Sequence, residues 1–419
     1  MGGQSPSDPG ERTAARRTMR VSCVLVILLT AYMVVKFLNG DFKDAEVWYD
    51  AGRRVLSGES LANLPHYRYP PTFAVLVAPL TFFGFGPFFF SWYAINLLLF
   101  RQCGRLARGI CSSGADRSPA RRNWLPLLMV APFAVDDLVL GQTNILITAL
   151  LYWTFLADAR NREWLAGLPL GAAIAVKVFP VPLLVYFAYR LRLRVVASAL
   201  LACALLMIVI PAPARGFRRN LGEVGAWGRR VVMPFVTEGK AGDWGQHSLD
   251  FGNQSLPAVA RRYLTHVDAQ VMARQLPPIY VNLADLSESQ VNSVVLGIFA
   301  ILCATFAVSC GLRRPDRPEH RAVEYSLATI LLLMASALSW TYFFVMLLLP
   351  VTAALQLLRS KEKLAASSGW ALRAALWGLA LATVLLVNHH ARALGNLFWA
   401  AVLFFVALAM ACRDLRRDR

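Results

Sequence analysis

Asp44-Ala-Glu-Val-Trp-Tyr-Asp-Ala-Gly-Arg-Arg-Val-Leu-Ser-Gly58 is a polar, carboxylate-bearing segment set directly after the apolar run Val21 to Leu38. That run is long enough and apolar enough to cross a bilayer as a helix. The polar segment reads as an amphipathic helix lying at the membrane surface. It is followed by Tyr67-Arg-Tyr-Pro-Pro71 and by another apolar run. A span, a surface helix and a return into the bilayer predict an all-α, polytopic integral membrane protein.

Composition agrees. Of 419 residues, 57% are hydrophobic and 16% are charged, a balance foreign to soluble domains of this size. The net charge of +18 does not indicate nucleic acid, because the basic residues cluster in short connectors. These are Arg190-Leu-Arg-Leu-Arg194, Arg313-Arg-Pro-Asp-Arg-Pro-Glu-His-Arg321, Arg359-Ser-Lys-Glu-Lys363 and Arg413-Asp-Leu-Arg-Arg-Asp-Arg419. Short loops with such an excess face the cytoplasm. All of the cysteines, at 23, 103, 111, 203, 303, 310 and 412, lie in or beside apolar segments without metal-ligand spacing. Structural disulfides and a zinc site are therefore not expected.

Residues 1–20, rich in Ser, Pro, Gly and Arg, read as a disordered cytoplasmic tail preceding an uncleaved first helix. Further apolar segments lie at about 71–84, 86–106, 124–139, 142–158, 164–190, 194–212, 290–311, 322–338, 340–358, 370–387 and 394–412. With the first helix they predict about 12 transmembrane helices. The organisation expected is an N-terminal transmembrane module at 21–212, with an outer loop at about 39–70. A large outer loop at 213–289, C-terminal helices at 290–412 and a basic cytoplasmic tail at 413–419 follow. Both termini are then inside. Two versions of the first half stay open. In one, 164–190 is a single helix; in the other it is a hairpin broken at Pro180 and Pro182, and Pro70-Pro71 begins a re-entrant segment. There is no internal repeat, Walker motif or dinucleotide-binding glycine pattern.

Several residues have the chemistry to act. Asp41 and Asp44 are carboxylates at the lipid–water boundary, suited to removing a proton from an acceptor hydroxyl; the plainer reading is a solvated helix cap. Lys177 sits in an otherwise apolar run, where a lysine needs a task or a partner, and holding a lipid phosphate suits it. Snorkelling near Pro180 is the alternative. Gln142 and Asn144 open an apolar helix, lining a polar cavity or bonding neighbouring helices. Asp136-Asp137 make a weak metal pair, because adjacent residues on a helix diverge. In the outer loop Trp244, His247, Asn253 and Gln254, followed by Arg261-Arg262, combine aromatic faces and amides suited to a sugar, or form an ordinary polar loop. His389-His390 reads as surface.

Taken in order, these stretches resemble glycosyltransferase family 87, the polyprenol-phosphate-mannose-dependent membrane enzymes of GT-C type. The likeness rests on Asp44, Trp48-Tyr49, Ala51-Gly52, Gly58, Tyr69-Pro-Pro71 and Pro79-Leu80. It continues through Gly141-Gln-Thr-Asn144, Ala166-Gly167, Lys177, Pro180, Asn253-Gln-Ser-Leu256 and Ser339-Trp340. The resemblance implies that Asp44, rather than Asp41, is the catalytic base. One departure is Ser339-Trp-Thr-Tyr-Phe-Phe344, where Tyr342 stands in place of a histidine often found after the Ser-Trp pair.

The expectation is thus a GT-C-like hexosyltransferase moving mannose, with inversion, from a polyprenyl-phosphate donor to a glycolipid or cell-envelope glycan. Asp44 would be the base. Lys177, His247, Asn253, Gln254, Gln142, Asn144, Tyr69, Tyr342 and Arg261 would bind substrate. No cofactor or metal is called for. The cell membrane would be its location, with the site facing outside. The rival from another class is a transporter or lipid flippase, which would also use an intramembrane charge such as Lys177.

Overall fold

The computed structural model describes residues 24, 26–40, 43–62, 64–112, 124–234, 242–272, 275–312, 314–360 and 364–417. These residues are all-α apart from an isolated bridge between Asn253 and Trp340. In chain order the helices are α1 (Val26–Leu38), α2 (Lys43–Leu56), α3 (Pro71–Thr81), α4 (Phe85–Cys111) and α5 (Leu125–Leu140). Next come α6 (Asn144–Ala159), α7 (Glu163–Val176), α8 (Pro182–Tyr189), α9 (Leu193–Arg215), α10 (Phe217–Trp227) and α11 (Leu256–Leu264). The chain closes with α12 (Glu288–Cys310), α13 (Pro318–Ala335), α14 (Leu348–Leu357), α15 (Ala366–Val387) and α16 (Asn396–Arg417).

The apolar segments do become helices, several of them shorter than a full span. Among the described residues four helices are long and apolar enough to cross a membrane: α9, α12, α15 and α16. A fifth span arises if α3 and α4 count together, although they meet at a bend of 114°. The bend falls at Gly84, whose φ of 96° is open to glycine and strained for other residues. The long apolar stretch 164–190 is likewise broken, with α7 ending before Lys177 and α8 starting at Pro182. Of the two versions open in the sequence, the broken one is observed. Helices of 14 to 16 residues such as α6 and α7 measure only about 21–24 Å. Packed among other helices, they need not match a hydrocarbon core of about 30 Å.

The bundle has two chemically distinct ends, and α6, α7, α13 and α16 run between them. At one end the basic connectors meet. Asp158 receives Arg192 at 3.0 Å, Arg314 at 3.0 Å and the Tyr325 hydroxyl at 2.6 Å. Arg190 forms a buried pair with Glu324 and donates to the Gly311 carbonyl at 2.7 Å. At the other end lie the loop after α2, the turn between α5 and α6, the break after α7, and the turns around Ser339 and Arg392. Exposed Leu296 and Ile301 on α12 and Trp377 and Leu381 on α15 give these helices the apolar outer faces that lipid requires.

Close backbone approach holds α7 against α9. A Cβ on Gly167 would lie 1.7 Å from Ser198 Oγ, and one on Gly171 2.3 Å from the Ala199 carbonyl oxygen. Small residues at helix contacts are the usual solution in a bilayer, where apolar burial gives little drive to associate. Gly171→Ala is expected to destabilise the bundle by about 1–3 kcal/mol, seen as a lower thermal unfolding temperature of the purified protein. Gly222→Ala, on open surface in α10, is the matched control and should not lower it.

Candidate active site

The site is built on one turn. Helix α5 ends at Gly141, whose φ of 72° is left-handed, and α6 starts three residues later. The Gly141 carbonyl accepts the indole N–H of Trp48 and that of Trp92, each at 2.8 Å. A Cβ on Gly141 would meet the Ala45 Cβ at 2.9 Å, so glycine here lets α2 lie directly on the turn. Helix α2 has the pattern for that position. Ala45, Trp48, Ala51 and Val55 are buried, whereas Glu46, Asp50 and Arg53 are exposed. Gly52 brings α2 equally close to α3, where an added Cβ would lie 2.5 Å from Thr81 Cγ2.

This contact sets Asp44 beside Gln142. The Gln142 amide donates to Asp44 Oδ2 at 2.6 Å. Its carbonyl oxygen accepts from the Tyr69 hydroxyl at 3.2 Å, and that hydroxyl lies 2.9 Å from Thr143 Oγ1. Burial pushes the Tyr69 phenol well up, with the Asp44 and Asp137 charges adding to it, so it stays protonated. Gln142 is thereby held in one orientation with its donor toward the carboxylate.

A second set of bonds brings in Lys177. Buried Asp137 accepts from the Asn144 backbone N–H at 3.1 Å, the Ile145 N–H at 3.2 Å and the Asn144 side-chain amide at 2.7 Å. It therefore caps α6 from the preceding helix. The Asn144 side-chain Oδ1 then accepts from Lys177 Nζ at 3.0 Å. The ammonium also lies over the rings of Phe343, at 4.2 Å, and Tyr69, at 5.5 Å. Lys177 is in extended conformation at the end of α7, so the break in the apolar stretch is what turns it toward the cleft. Asp44 and Asp137 are the carboxylates within its electrostatic reach.

The remaining expected residues divide into two groups. Tyr342 is buried in the same neighbourhood, within electrostatic reach of Asp44, Tyr69, Asp136 and Asp137. Asn253, Gln254 and Arg261 have their polar groups engaged elsewhere. Asn253 donates to the Ser248 and Ala337 carbonyls and accepts from the Ser339 N–H at 2.8 Å. Gln254 donates to the Phe251 and Arg392 carbonyls and accepts from the N–H groups of Leu397 and Phe398. Arg261 bonds Glu288 and Asn292 on α12. These three tie α11 and the loop before it to the bundle and make no bond to the Asp44 network. His247 is exposed on a short helical turn. Asp41, the tail 1–20 and the Trp244 side chain lie outside the described residues.

Two participants escaped the sequence reading, and a third was read for another role. Trp92 and Thr143 had no motif to mark them, although Thr143 sits inside Gly141-Gln-Thr-Asn144. Asp137, weighed as a metal ligand, is a helix cap; among the described residues no group of three or more His, Cys, Asp or Glu could hold a metal. The cue available was a carboxylate seven residues before an asparagine across a glycine turn.

Comparison with known proteins bears on this arrangement. A polyprenol-phosphate-mannose-dependent α-(1-2)-phosphatidylinositol mannoside mannosyltransferase of Mycobacterium tuberculosis is 31% identical over 180 residues, 38% of this chain and 41% of that protein. GPI mannosyltransferase 1 of Eremothecium gossypii is 28% identical over 36% of each chain. An α-(1→3)-arabinofuranosyltransferase of Corynebacterium glutamicum is 31% identical over 39% of this chain and 41% of its own length. The chain thus spans about two fifths of the length of these curated relatives. No solved structure matches it. The profile of glycosyltransferase family 87 matches residues 67–339, which takes in Tyr69, Gln142, Asn144 and Lys177 and leaves Asp44 and Tyr342 outside. With that match over most of its length, the chain belongs to glycosyltransferase family 87.

Proposed function

We propose that this protein transfers a sugar from a polyprenyl-phosphate donor to a hydroxyl of a glycolipid or cell-envelope glycan, with Asp44 as general base. The observation that carries this reading is the Gln142–Asp44 bond, which fixes a half-buried carboxylate at the bundle end that also receives Lys177. In the proposed step the acceptor oxygen attacks the anomeric carbon as Asp44 takes its proton. The bond from that carbon to the phosphate oxygen breaks, and polyprenyl phosphate leaves with inversion at carbon. A phosphate leaving group needs no general acid. It needs positive charge, and Lys177 supplies it. The family supports the transfer, and the mannosyltransferases among the relatives support a hexose. The arabinofuranosyltransferase relative favours a second reading for the donor sugar, a pentofuranose.

The arrangement fits a transferase better than a transport pathway. Asp44 and Lys177 are joined through Gln142, Asp137 and Asn144 at one end of the bundle, not strung along its length. The basic connectors gather at the opposite end, and the excess of Arg and Lys in short loops supports reading that end as cytoplasmic and the Asp44 end as outer.

Transfer from radiolabelled polyprenyl-phosphate mannose and from polyprenyl-phosphate arabinofuranose tests the proposal. Asp44→Asn is expected to lower kcat by about 10²–10⁴-fold at unchanged thermal stability. Asp50→Asn, on the exposed face of the same helix, should leave transfer near wild type. Undiminished transfer by the Asp44 variant would sink the mechanism. Gly141→Ala should also lose most activity, because its methyl would push α2 and Asp44 away from Gln142. Restoration of wild-type rates in that variant would deny the turn its positioning role.

A further inference from the structure

Beyond the Asp44 network, the turn between α15 and α16 and the loop before α11 lock together around one arginine. Asn388 caps that turn by accepting from the Ala391 N–H at 2.9 Å. Gln254 holds the Arg392 carbonyl at 2.8 Å, and fully buried Arg262 donates to the carbonyls of Ala393, Asp250 and Asn253 at 2.8–2.9 Å. Phe251 stacks with the His389 ring at 4.8 Å, and the Arg392 guanidinium lies over the Phe251 ring at 4.4 Å. The backbone on both sides is fixed and one face of the guanidinium is covered.

The same loop reaches the cleft. Gln254 N–H donates to the Ser339 carbonyl at 2.8 Å, and a Cβ on Gly252 would touch the Trp340 ring at 2.8 Å. The next residues, Thr341–Leu347, pack along α5 and carry Tyr342 and Phe343 into the Asp44 neighbourhood. Arg392 thus comes to the α5 side of the cleft. The carboxylates within its electrostatic reach are Asp250 and Asp136. Asp250 is already engaged by the N–H groups of Gly252 and Met272.

Arg392 is costly where it stands. Burial pushes its guanidinium down from the usual arginine range. Its buried Nε meets no hydrogen-bond partner. The enclosed Nε is out of a ligand's reach, so an anion would meet the terminal Nη groups of this half-buried guanidinium, and phosphate is the anion such a planar group fits best. Lys177, by contrast, already bonds Asn144 and faces the Asp137 charge.

We propose that Arg392 is a phosphate-binding residue, held by its Phe251 stack so that its fork takes the phosphate of the lipid-linked donor and of the departing lipid phosphate. The assignment rests on the transferase reading above. It adds a second cation that the sequence did not single out and that lies outside the matched residues 67–339.

The test is binding to the purified protein in phosphatidylcholine nanodiscs, with undecaprenyl phosphate as probe and undecaprenol as its uncharged counterpart. Arg392→Ala is expected to weaken the phosphate lipid by about ten- to a hundredfold, the loss of a charge-assisted bond. Its affinity for undecaprenol should match wild type, which also reports that the variant is folded. Arg392→Lys should recover part of the loss, and in transfer assays the donor KM should rise while the acceptor KM holds. Equal binding of the phosphate lipid by wild type and Arg392→Ala would overturn the assignment alone. A wild type that does not prefer the phosphate to the alcohol would overturn it together with the lipid-phosphate reading.

Discussion

The carbonyl oxygen of Gly141 holds this end of the molecule together. It is buried at the close of α5, where the last helical carbonyls lack partners within the helix, and it receives two indole N–H groups. One comes from the surface helix α2 and the other from α4, so three elements distant in sequence converge on one atom. Leaving such an acceptor unmet would cost about 1–3 kcal/mol. The same residue must be left-handed and must tolerate Ala45 at contact distance, and only glycine meets both demands. The position of Asp44 beside Gln142 depends on that contact.

Polar groups at the cleft are used in pairs, as a membrane protein requires. Asp137 neutralises helix-end N–H groups and faces Lys177 through Asn144, so neither charge stands alone in an apolar surround. Arg262 is treated alike: burial pushes its guanidinium down to about 10, and four carbonyls at 2.8–3.3 Å receive its N–H groups. Apart from the Arg262 Nη2, which meets no partner, these bonded groups form a frame. Against it stand Asp44, held by Gln142, and the Lys177 ammonium, held by Asn144.

Much of the fold was legible because its causes are local. A long apolar run, a proline at the first helical turn, a glycine at a helix end and a cluster of arginines each act within a few residues. Pro71, Gly141, the Ser287–Gln290 capping box and the basic connectors are all readable in this way. What hydropathy could not show was which apolar helices reach across a bilayer, because a helix buried by its neighbours and one facing lipid have similar compositions. The same holds for the site. Lys177, Gln142 and Asn144 stood out as polar residues in or beside apolar runs, and Asp44 as a carboxylate just after one. Asn253 and Gln254 stood out equally, although their amides are spent on backbone groups of other segments.

By itself the sequence determined the class of protein, its helices and the clustering of its basic residues in short connectors. These follow from composition and from interactions within one or two turns of the chain. The tertiary structure alone decided which polar residues converge. It joined Asp44 to Gln142 across 98 positions, turned Lys177 inward at a helix break, and set Arg392 on Phe251 beside the cleft. The reason is physical: a hydrogen bond is satisfied wherever a buried donor finds an acceptor, and in a packed bundle that partner is chosen by helix contacts, not by distance along the chain.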